Sequence, residues 1–210
     1  MSATNRGTER KAYDFYATPI ECVNAILDAL PPFGKDLFIL EPSAGNGNIL
    51  RALRDRNIDA VDIEAIEIRE DEREILEKLA DTVTIGDFLK IDTEYMEYDV
   101  IIGNPPYSMA QEFIDKCLGL LAPGGKLIFL LRTNFLESSK RFKWWQDKLP
   151  TGLYTLHKRP SFTGHGTDAT SYSWFVWERA QTDRQTDRQT DRQTDRQTDR
   201  QTDRQTIKII

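Results

Sequence analysis

The sequence has few of the residues that build disulfide frameworks and metal centres, with 2 cysteines and 2 histidines in 210 residues. Cys22 and Cys117 each sit in a helix-like apolar pattern, which argues against a stapled secreted scaffold. With histidine so sparse there is no zinc-ligand spacing either, so no metal is expected. Long apolar runs are also missing. Nothing approaches the roughly 20 residues needed to span a bilayer, and Met1 to Lys11 is polar, without the apolar stretch of a secretion signal. A soluble, cytoplasmic chain with no membrane partner is expected. Excess positive charge is lacking too: 28 Lys and Arg against 34 Asp and Glu give a net charge of −6. That balance weighs mildly against a dedicated nucleic-acid binder, whose phosphate contacts draw on surplus Lys and Arg. It says little, however, about one local cleft. The one basic stretch is Lys140-Arg141, Lys143, Trp144-Trp145 and Lys148, followed by His157-Lys158-Arg159. It reads equally well as a solvated helix face over a buried Trp pair or as a phosphate-contacting patch.

What is present divides the chain into a flexible N-terminus (1–12), one domain (13–180) and a low-complexity tail (181–210). The tail repeats Gln-Thr-Asp-Arg six times from Gln181 to Arg204 and ends Gln205-Thr206-Ile207-Lys208-Ile209-Ile210. Each unit carries one Asp and one Arg, so the tract is neutral, and with no apolar residue it cannot bury anything. The domain alternates strand and helix. Thr18-Pro19-Ile20-Glu21 reads as a capping box opening a helix to about Ala29, before Pro31-Pro32. Leu37 to Leu40 is a buried strand, with a helix from Ile49 to Arg56. A second strand covers Ala60 to Glu67, a helix Asp71 to Ala80, and a third strand Val83 to Ile85. A fourth strand spans Tyr98 to Ile102, a helix Ala110 to Leu121, and a fifth strand Lys126 to Leu131. A helix over Ser138 to Lys148 precedes two late strands, Leu153 to His157 and Tyr172 to Trp177. The pattern is α/β, a parallel sheet with helices on both faces, and the last two strands, with no helix between them, are expected to pair antiparallel.

Four successive strands end in clusters of polar, Gly or Pro residues, and ligands of open α/β sheets bind beyond the carboxyl ends of the strands. Glu41-Pro42-Ser43-Ala44-Gly45-Asn46-Gly47 follows the first. Its glycines allow a tight turn and close backbone approach, but it lacks the third glycine of the pyrophosphate fingerprint. A nucleoside ligand without phosphates is expected. Glu67, ending the second strand with Ile68 after it, can accept from both hydroxyls of a ribose; taken alone it is an ordinary solvated strand end. Asp87 can accept from an adenine amine while Phe88 packs on the base, or it can serve as a helix cap. Asn104-Pro105-Pro106-Tyr107 ends the fourth strand and offers an amide oxygen, a rigidly held carbonyl and an aromatic face. An aromatic amine is a poor nucleophile because its lone pair is delocalised. Two acceptors on its hydrogens favour a pyramidal nitrogen aimed at a methyl donor, and Tyr107 supplies the stacking that holds a flipped-out base.

The sequence resembles the N6-adenine-specific DNA methyltransferases. Glu41 to Gly47 is similar to their cofactor motif I, and Asn104-Pro105-Pro106-Tyr107 to their catalytic motif IV. Glu67 and Asp87-Phe88 stand at the places of the ribose and adenine contacts. Tyr16-Ala17-Thr18-Pro19 resembles the N-terminal segment that touches the methionine end of the cofactor. Arg159-Pro160-Ser161-Phe162 resembles the motif whose aromatic residue packs on the target base, with Phe162 as that residue or as a core residue. The cofactor motifs precede the catalytic one, the gamma order of that family. The resemblance covers about residues 13 to 178. It implies a Rossmann-like S-adenosylmethionine-dependent methyltransferase, with a seven-stranded, mostly parallel sheet and an antiparallel last hairpin. It further implies double-stranded DNA as partner, with the target adenine flipped out. The cofactor set it implies is Tyr16, Thr18, Pro19, Glu41, Ser43, Ala44, Gly45, Gly47, Glu67, Ile68, Asp87, Phe88 and Asn104. Asn104, Pro105, Pro106 and Tyr107 would carry the reaction, without metal or covalent intermediate, and proximity and orientation would supply most of the acceleration.

The sequence departs from the gamma pattern after Arg179, where a target-recognition domain would be placed and only the repeat is found. Specificity is then expected from loops, of which 133–139 and 163–170 are candidates, or from a partner subunit, or to be weak; a cognate restriction enzyme is the other partner considered. RNA adenine methylation and protein glutamine methylation use the same cofactor and the same kind of planar nitrogen, and stand as alternatives. The repeat has a reading at the level of the gene. The tetranucleotide CAGA, read as CAG-ACA-GAC-AGA, encodes Gln-Thr-Asp-Arg, and every frame of it yields the same residues cyclically permuted. Slippage by one unit would change only the residues encoded beyond the tract. Phase-variable expression in a bacterium or phage is one expectation, and a neutral, flexible tail the other.

Overall fold

The computed structural model describes residues 17–93, 96–162, 166, 168–181 and 206–210. Tyr16, Gly164, His165, the N-terminus and almost all of the repeat lie outside them. In chain order the elements are α1 (Ile20–Ala29), β1 (Leu37–Glu41), α2 (Asn48–Asp55), β2 (Ala60–Glu67), α3 (Arg73–Leu76), β3 (Thr82–Ile85) and β4 (Tyr98–Gly103). Then come α4 (Ala110–Gly119), β5 (Leu121–Arg132), α5 (Phe142–Asp147), β6 (Gly152–Thr155), β7 (Tyr172–Glu178) and β8 (Thr206–Ile209).

The strands form one sheet in the order β3-β2-β1-β4-β5-β7-β6-β8. β1 to β5 run parallel, whereas β7 lies antiparallel between β5 and β6. Both faces are covered, and this shows in the two-residue alternation of the central strands. On β5, Ile128 and Leu130 enter one core with α1 and α2, while Leu127, Phe129 and Leu131 enter the other with α4. On β7, Tyr172, Trp174 and Val176 face the first core, and Phe175 and Trp177 the second. Trp174 is fully buried, and its indole N–H donates to the Cys22 carbonyl of α1 at 3.0 Å. The bond satisfies a donor that would otherwise be buried without a partner.

The sheet has eight strands rather than seven. The extra one is β8, which pairs in parallel with β6 through Gly152–Thr206 to Thr155–Ile209. Ile207, Ile209 and Ile210 are β-branched and directly follow a tract of polar residues, so the final residues can join an edge that the repeat itself could not.

Three other expectations are corrected. Thr18 does not cap α1: the N-cap is Pro19 with no side-chain cap bond, and the Thr18 hydroxyl is engaged elsewhere. The helix expected over 71–80 shrinks to α3, because Glu70-Asp71-Glu72 wind as a 3-10 turn before it and the chain passes into turns after Leu76. β5 begins at Leu121, five residues early, because Gly124 at φ 82° lets the chain run on into the strand.

Candidate functional site

The sheet order reverses between β1 and β4. After β1 the chain runs outward to β3, and it returns on the other side of β1 with β4. The crevice at such a switch point, beyond the carboxyl ends of the strands, is the usual ligand site of this architecture. A cleft of about 750 Å³, counted with its open mouth, occupies that place.

Its lining includes Thr18, Glu41, Ser43, Ala44, Gly45, Glu67, Ile68, Asp87, Phe88 and Asn104. The ends of β1, β2, β3 and β4 therefore converge on one cavity. Pro106 lines it too. Pro19 and Gly47 do not reach it and act from behind. Gly47, at φ 76°, turns the chain into α2, and a Cβ there would stand 2.6 Å from Leu79 Cδ1. No L-side chain fits that approach without movement of Leu79.

The carboxylates differ in state. Glu67 is buried and bonded on both oxygens. Gly45 N–H donates to Oε2 at 2.7 Å, and Arg69 donates to Oε1 through its backbone N–H at 3.0 Å and Nε at 2.9 Å. Arg69 also pairs with Glu72 at 3.0 Å, so the Glu67 carboxylate is oriented before any ligand arrives. Glu41 is only 2 % exposed, and its Oε2 has no hydrogen-bond partner. Burial, reinforced by the negative charge of Glu67, pushes its carboxyl well above the usual range. The Ser43 hydroxyl is likewise buried and unpartnered. Asp87 is held below the usual range, first by its bond from Lys90, and its Oδ1 also accepts from Leu89 N–H at 3.1 Å. Lys116 of α4 fixes the loop that carries it, donating to the Phe88 and Ile91 carbonyls at 2.6 Å each and standing over the Phe88 ring.

Asn104 is reached by a residue far away in sequence. Its Nδ2 donates to Thr18 Oγ1 at 3.1 Å, and the Thr18 carbonyl accepts from Asn48 Nδ2 at 2.9 Å. Thr18 thus ties the segment before α1 to the end of β4 and the start of α2. Sequence reasoning missed this tie, and missed Arg69 and Asn48 as lining residues. A charged side chain directly after a buried strand end was the available signal for Arg69.

Pro105 is buried, and Tyr107 does not face the cleft. Its ring lies 5.7 Å from that of Tyr172, with the Arg132 guanidinium 5.1 Å from its centre. It borders a second cleft of about 600 Å³, on the other side of the Asn104 segment, together with Ala110, Arg132, Asn134, Phe135 and Arg141. Phe162 lines neither cleft and packs edge-on against Tyr172 at 5.0 Å.

Part of the basic stretch is committed within the fold, while Lys140, Lys143, Lys158 and Arg159 stay exposed. Trp145 is buried in the second core, Trp144 and Lys148 bond Asp115, and Arg141 donates twice to the Phe135 carbonyl. Among the described residues no group of His, Cys, Asp and Glu could hold a metal ion, and no helix is long and apolar enough to cross a membrane.

No protein-family model matches this sequence, and no curated protein matches it. Solved structures do match the fold. A candidate class I S-adenosylmethionine-dependent methyltransferase from Listeria monocytogenes superposes with a TM-score of 0.60 at 18% identity, over 84% of this chain and 63% of its own. The chain thus spans less than two thirds of the length of that structure. A candidate RNA methyltransferase from Pyrococcus horikoshii gives 0.61 at 14% identity, over 84% of this chain and 94% of its own. A predicted O-methyltransferase from Agrobacterium tumefaciens gives 0.54 at 19% identity, over 74% and 81%. The chain has the class I S-adenosylmethionine-dependent methyltransferase fold, with a mostly parallel sheet and an antiparallel late hairpin.

Proposed function

We propose that this protein transfers the methyl group of S-adenosylmethionine to the N6 amine of adenine in DNA. One observation carries the reading: Asn104, of an Asn-Pro-Pro-Tyr segment, stands in the same cleft as the polar groups ending β1, β2 and β3. A nucleoside-binding rim and an amine-gripping motif then share one cavity.

The residues present suit that cofactor. Two buried polar atoms in the lining, Glu41 Oε2 and Ser43 Oγ, have no partner among the described residues, and leaving such groups unsatisfied costs about 1–3 kcal/mol each. S-adenosylmethionine brings an α-ammonium and a sulfonium. A cation beside Glu41 would favour the ionised carboxylate that burial now opposes. Glu67, oriented by Gly45 and Arg69, keeps an acceptor site on Oε2 for a ribose hydroxyl, and Asp87 and Phe88 have an edge and a face for adenine.

The bound cofactor supplies an electrophilic methyl group. Asn104 and the Pro105 carbonyl accept the hydrogens of the target amine and aim its lone pair. With the cofactor held by the β1–β3 rim, its methyl group would pass to that amine, and the surplus amine proton would go to solvent. Thr18 holds Asn104 against rotation, and Tyr107 offers its face to the base. Double-stranded DNA would have to present that base flipped out. Sequence specificity would come from the loops around 133–139 and 163–170 or from a partner subunit.

RNA is the second reading, and the Pyrococcus structure, named for RNA methylation, favours keeping it. Label transfer from S-adenosylmethionine to unmethylated DNA, total RNA and a protein extract, followed by nucleoside digestion, separates the acceptors. N6-methyladenine in DNA, lost in Asn104→Ala while cofactor binding persists, is the expected result. Label in RNA or protein alone would overturn the DNA reading. The Gln-Thr-Asp-Arg tract is proposed to be a slippage-prone tetranucleotide repeat giving phase-variable expression. Constant tract length with mixed codons across many clones would refute that.

A further inference from the structure

Arg132 ends β5, the neighbour of β4, three residues beyond the Gly103–Phe129 pair. It is exposed, and among the described residues it forms no ion pair. Its guanidinium covers the Tyr107 ring, which packs against Tyr172, whose hydroxyl donates to Asp168 at 3.1 Å. Arg141, the other guanidinium of the second cleft, is already committed to the Phe135 carbonyl and stacks on the Phe135 ring at 4.2 Å. Glu137 is the one acidic side chain in that lining.

The Asn104–Ala110 segment is the wall between two clefts. Asn104, Pro106 and Met109 line the first, and Tyr107 and Ala110 the second. If the donor occupies the first, an acceptor reaching Asn104 from the opposite side must pass the second, where Arg132 stands over the aromatic face the base would use. An exposed cation–π contact is weaker than a bidentate, charge-assisted pair between a guanidinium and a phosphate. A polynucleotide carries such a phosphate next to every base.

We infer that Arg132 is a substrate-responsive positioning residue. It covers Tyr107 in the free protein and moves to a backbone phosphate beside the target nucleotide when the acceptor binds, uncovering the Tyr107 face. This rests on the nucleic-acid reading above. A glutamine side chain on a protein has no anion at that place and would not draw Arg132 away.

The test is binding of a fluorescein-labelled 12-nucleotide single strand with one adenine, as DNA and as RNA, across a salt series. Wild type, Arg132→Ala and Arg132→Lys are compared, with S-adenosylmethionine affinity measured beside them. Arg132→Ala is expected to bind the strand about tenfold more weakly. Its slope of log affinity against log salt should be shallower by about 0.7, the share of one phosphate on a single strand. Cofactor affinity should stay within about twofold, reporting an intact fold, because Arg132 lies outside the first cleft. Arg132→Lys should restore the slope, because a point charge remains, but only part of the affinity, because the planar fork is lost. Wild-type slope and affinity in Arg132→Ala would overturn the inference and leave the proposed reaction standing. A wild type that binds S-adenosylmethionine but neither strand would overturn both.

Discussion

Replacing Glu41 by glutamine keeps the shape of the side chain and removes its ability to ionise, and the structure sets the consequence. In the ligand-free protein the Glu41 carboxyl is buried beside Glu67, and burial first, then that neighbouring charge, hold its pKa well above the usual carboxylate range. In the unfolded chain the same group ionises near pH 4. Between these two values the folded state carries a proton that the unfolded state does not. Stability therefore falls as pH rises through that window, by about 1.4 kcal/mol per pH unit for this one group. For a domain of this size that corresponds to roughly 3–5 °C in melting temperature per pH unit. Carboxylates held low act with the opposite sign, such as Asp81, whose partial burial is outweighed by the Ile63 N–H and Arg54. Their stabilisation is present above the unfolded value and is lost as pH falls toward the folded one. The difference between wild type and variant isolates Glu41 from them.

The assay is thermal denaturation of both proteins without ligand from pH 5 to 8. The curves should lie close together at pH 5 and separate as pH rises, with Glu41→Gln the more stable. The same substitution should weaken S-adenosylmethionine binding, because an amide cannot become the counter-charge of a cation. Calorimetry in buffers of different ionisation enthalpy should show protons released on binding by wild type and fewer by the variant. A constant difference in melting temperature between the two proteins across the pH range would refute the argument, since it would mean that Glu41 ionises alike in folded and unfolded protein.

Gly47→Ala places a Cβ at φ 76° and 2.6 Å from Leu79 Cδ1, and should cost roughly 1–3 kcal/mol by strain and overpacking. Chemical denaturation reads this directly, and wild-type stability would mean that the turn into α2 relaxes freely. Thr18→Val keeps the shape but deletes the hydroxyl that accepts from Asn104 Nδ2. It should lower kcat about tenfold while leaving cofactor affinity nearly unchanged, and an equal loss in both would place Thr18 in cofactor binding rather than in holding Asn104.

The central strands were legible in the sequence because β1, β2, β4, β5 and β7 are buried on both faces over much of their length, and short apolar runs between Gly, Pro and Asp clusters leave little choice. So was the rim: one polar cluster at the end of each of four strands can meet only if the strands are parallel, and the structure brings Glu41, Glu67, Asp87 and Asn104 to one cleft. Contacts between residues distant in sequence were not legible. Thr18 looked like a helix cap because Thr-Pro-x-Glu is a local pattern, whereas its hydroxyl answers a group 86 residues away. The ambiguity of Phe162 between target-base stacking and core packing has the same origin. Its partner Tyr172 lies on β7, and nothing in Arg-Pro-Ser-Phe announces it. β8 was missed for a different reason. Four residues after a repeat carry too little pattern to outweigh the composition before them, and only the exposed edge of β6 gives them something to pair with.

The two clefts also explain why the cofactor side was easier to read than the acceptor side. A cofactor rim is made by strand ends, whose positions are set by the pleat and the chain order, so residue type and order nearly determine it. The acceptor side is made by the chain beyond β5, where Arg132, Asn134 and Phe135 come from a single 3-10 turn and its approach. No periodicity predicts which way those side chains point, and the arrangement here has Arg132 laid across the Tyr107 ring, the face proposed for the target base. A sequence motif can name Tyr107 as the stacking residue, but it cannot say that the ring is covered in the free protein. If Arg132 acts as inferred, the covering would place part of acceptor selection before chemistry, because an acceptor with an anion near its target nitrogen would displace the guanidinium. That would let a chain with a net charge of −6 select a polyanion through one residue at the site.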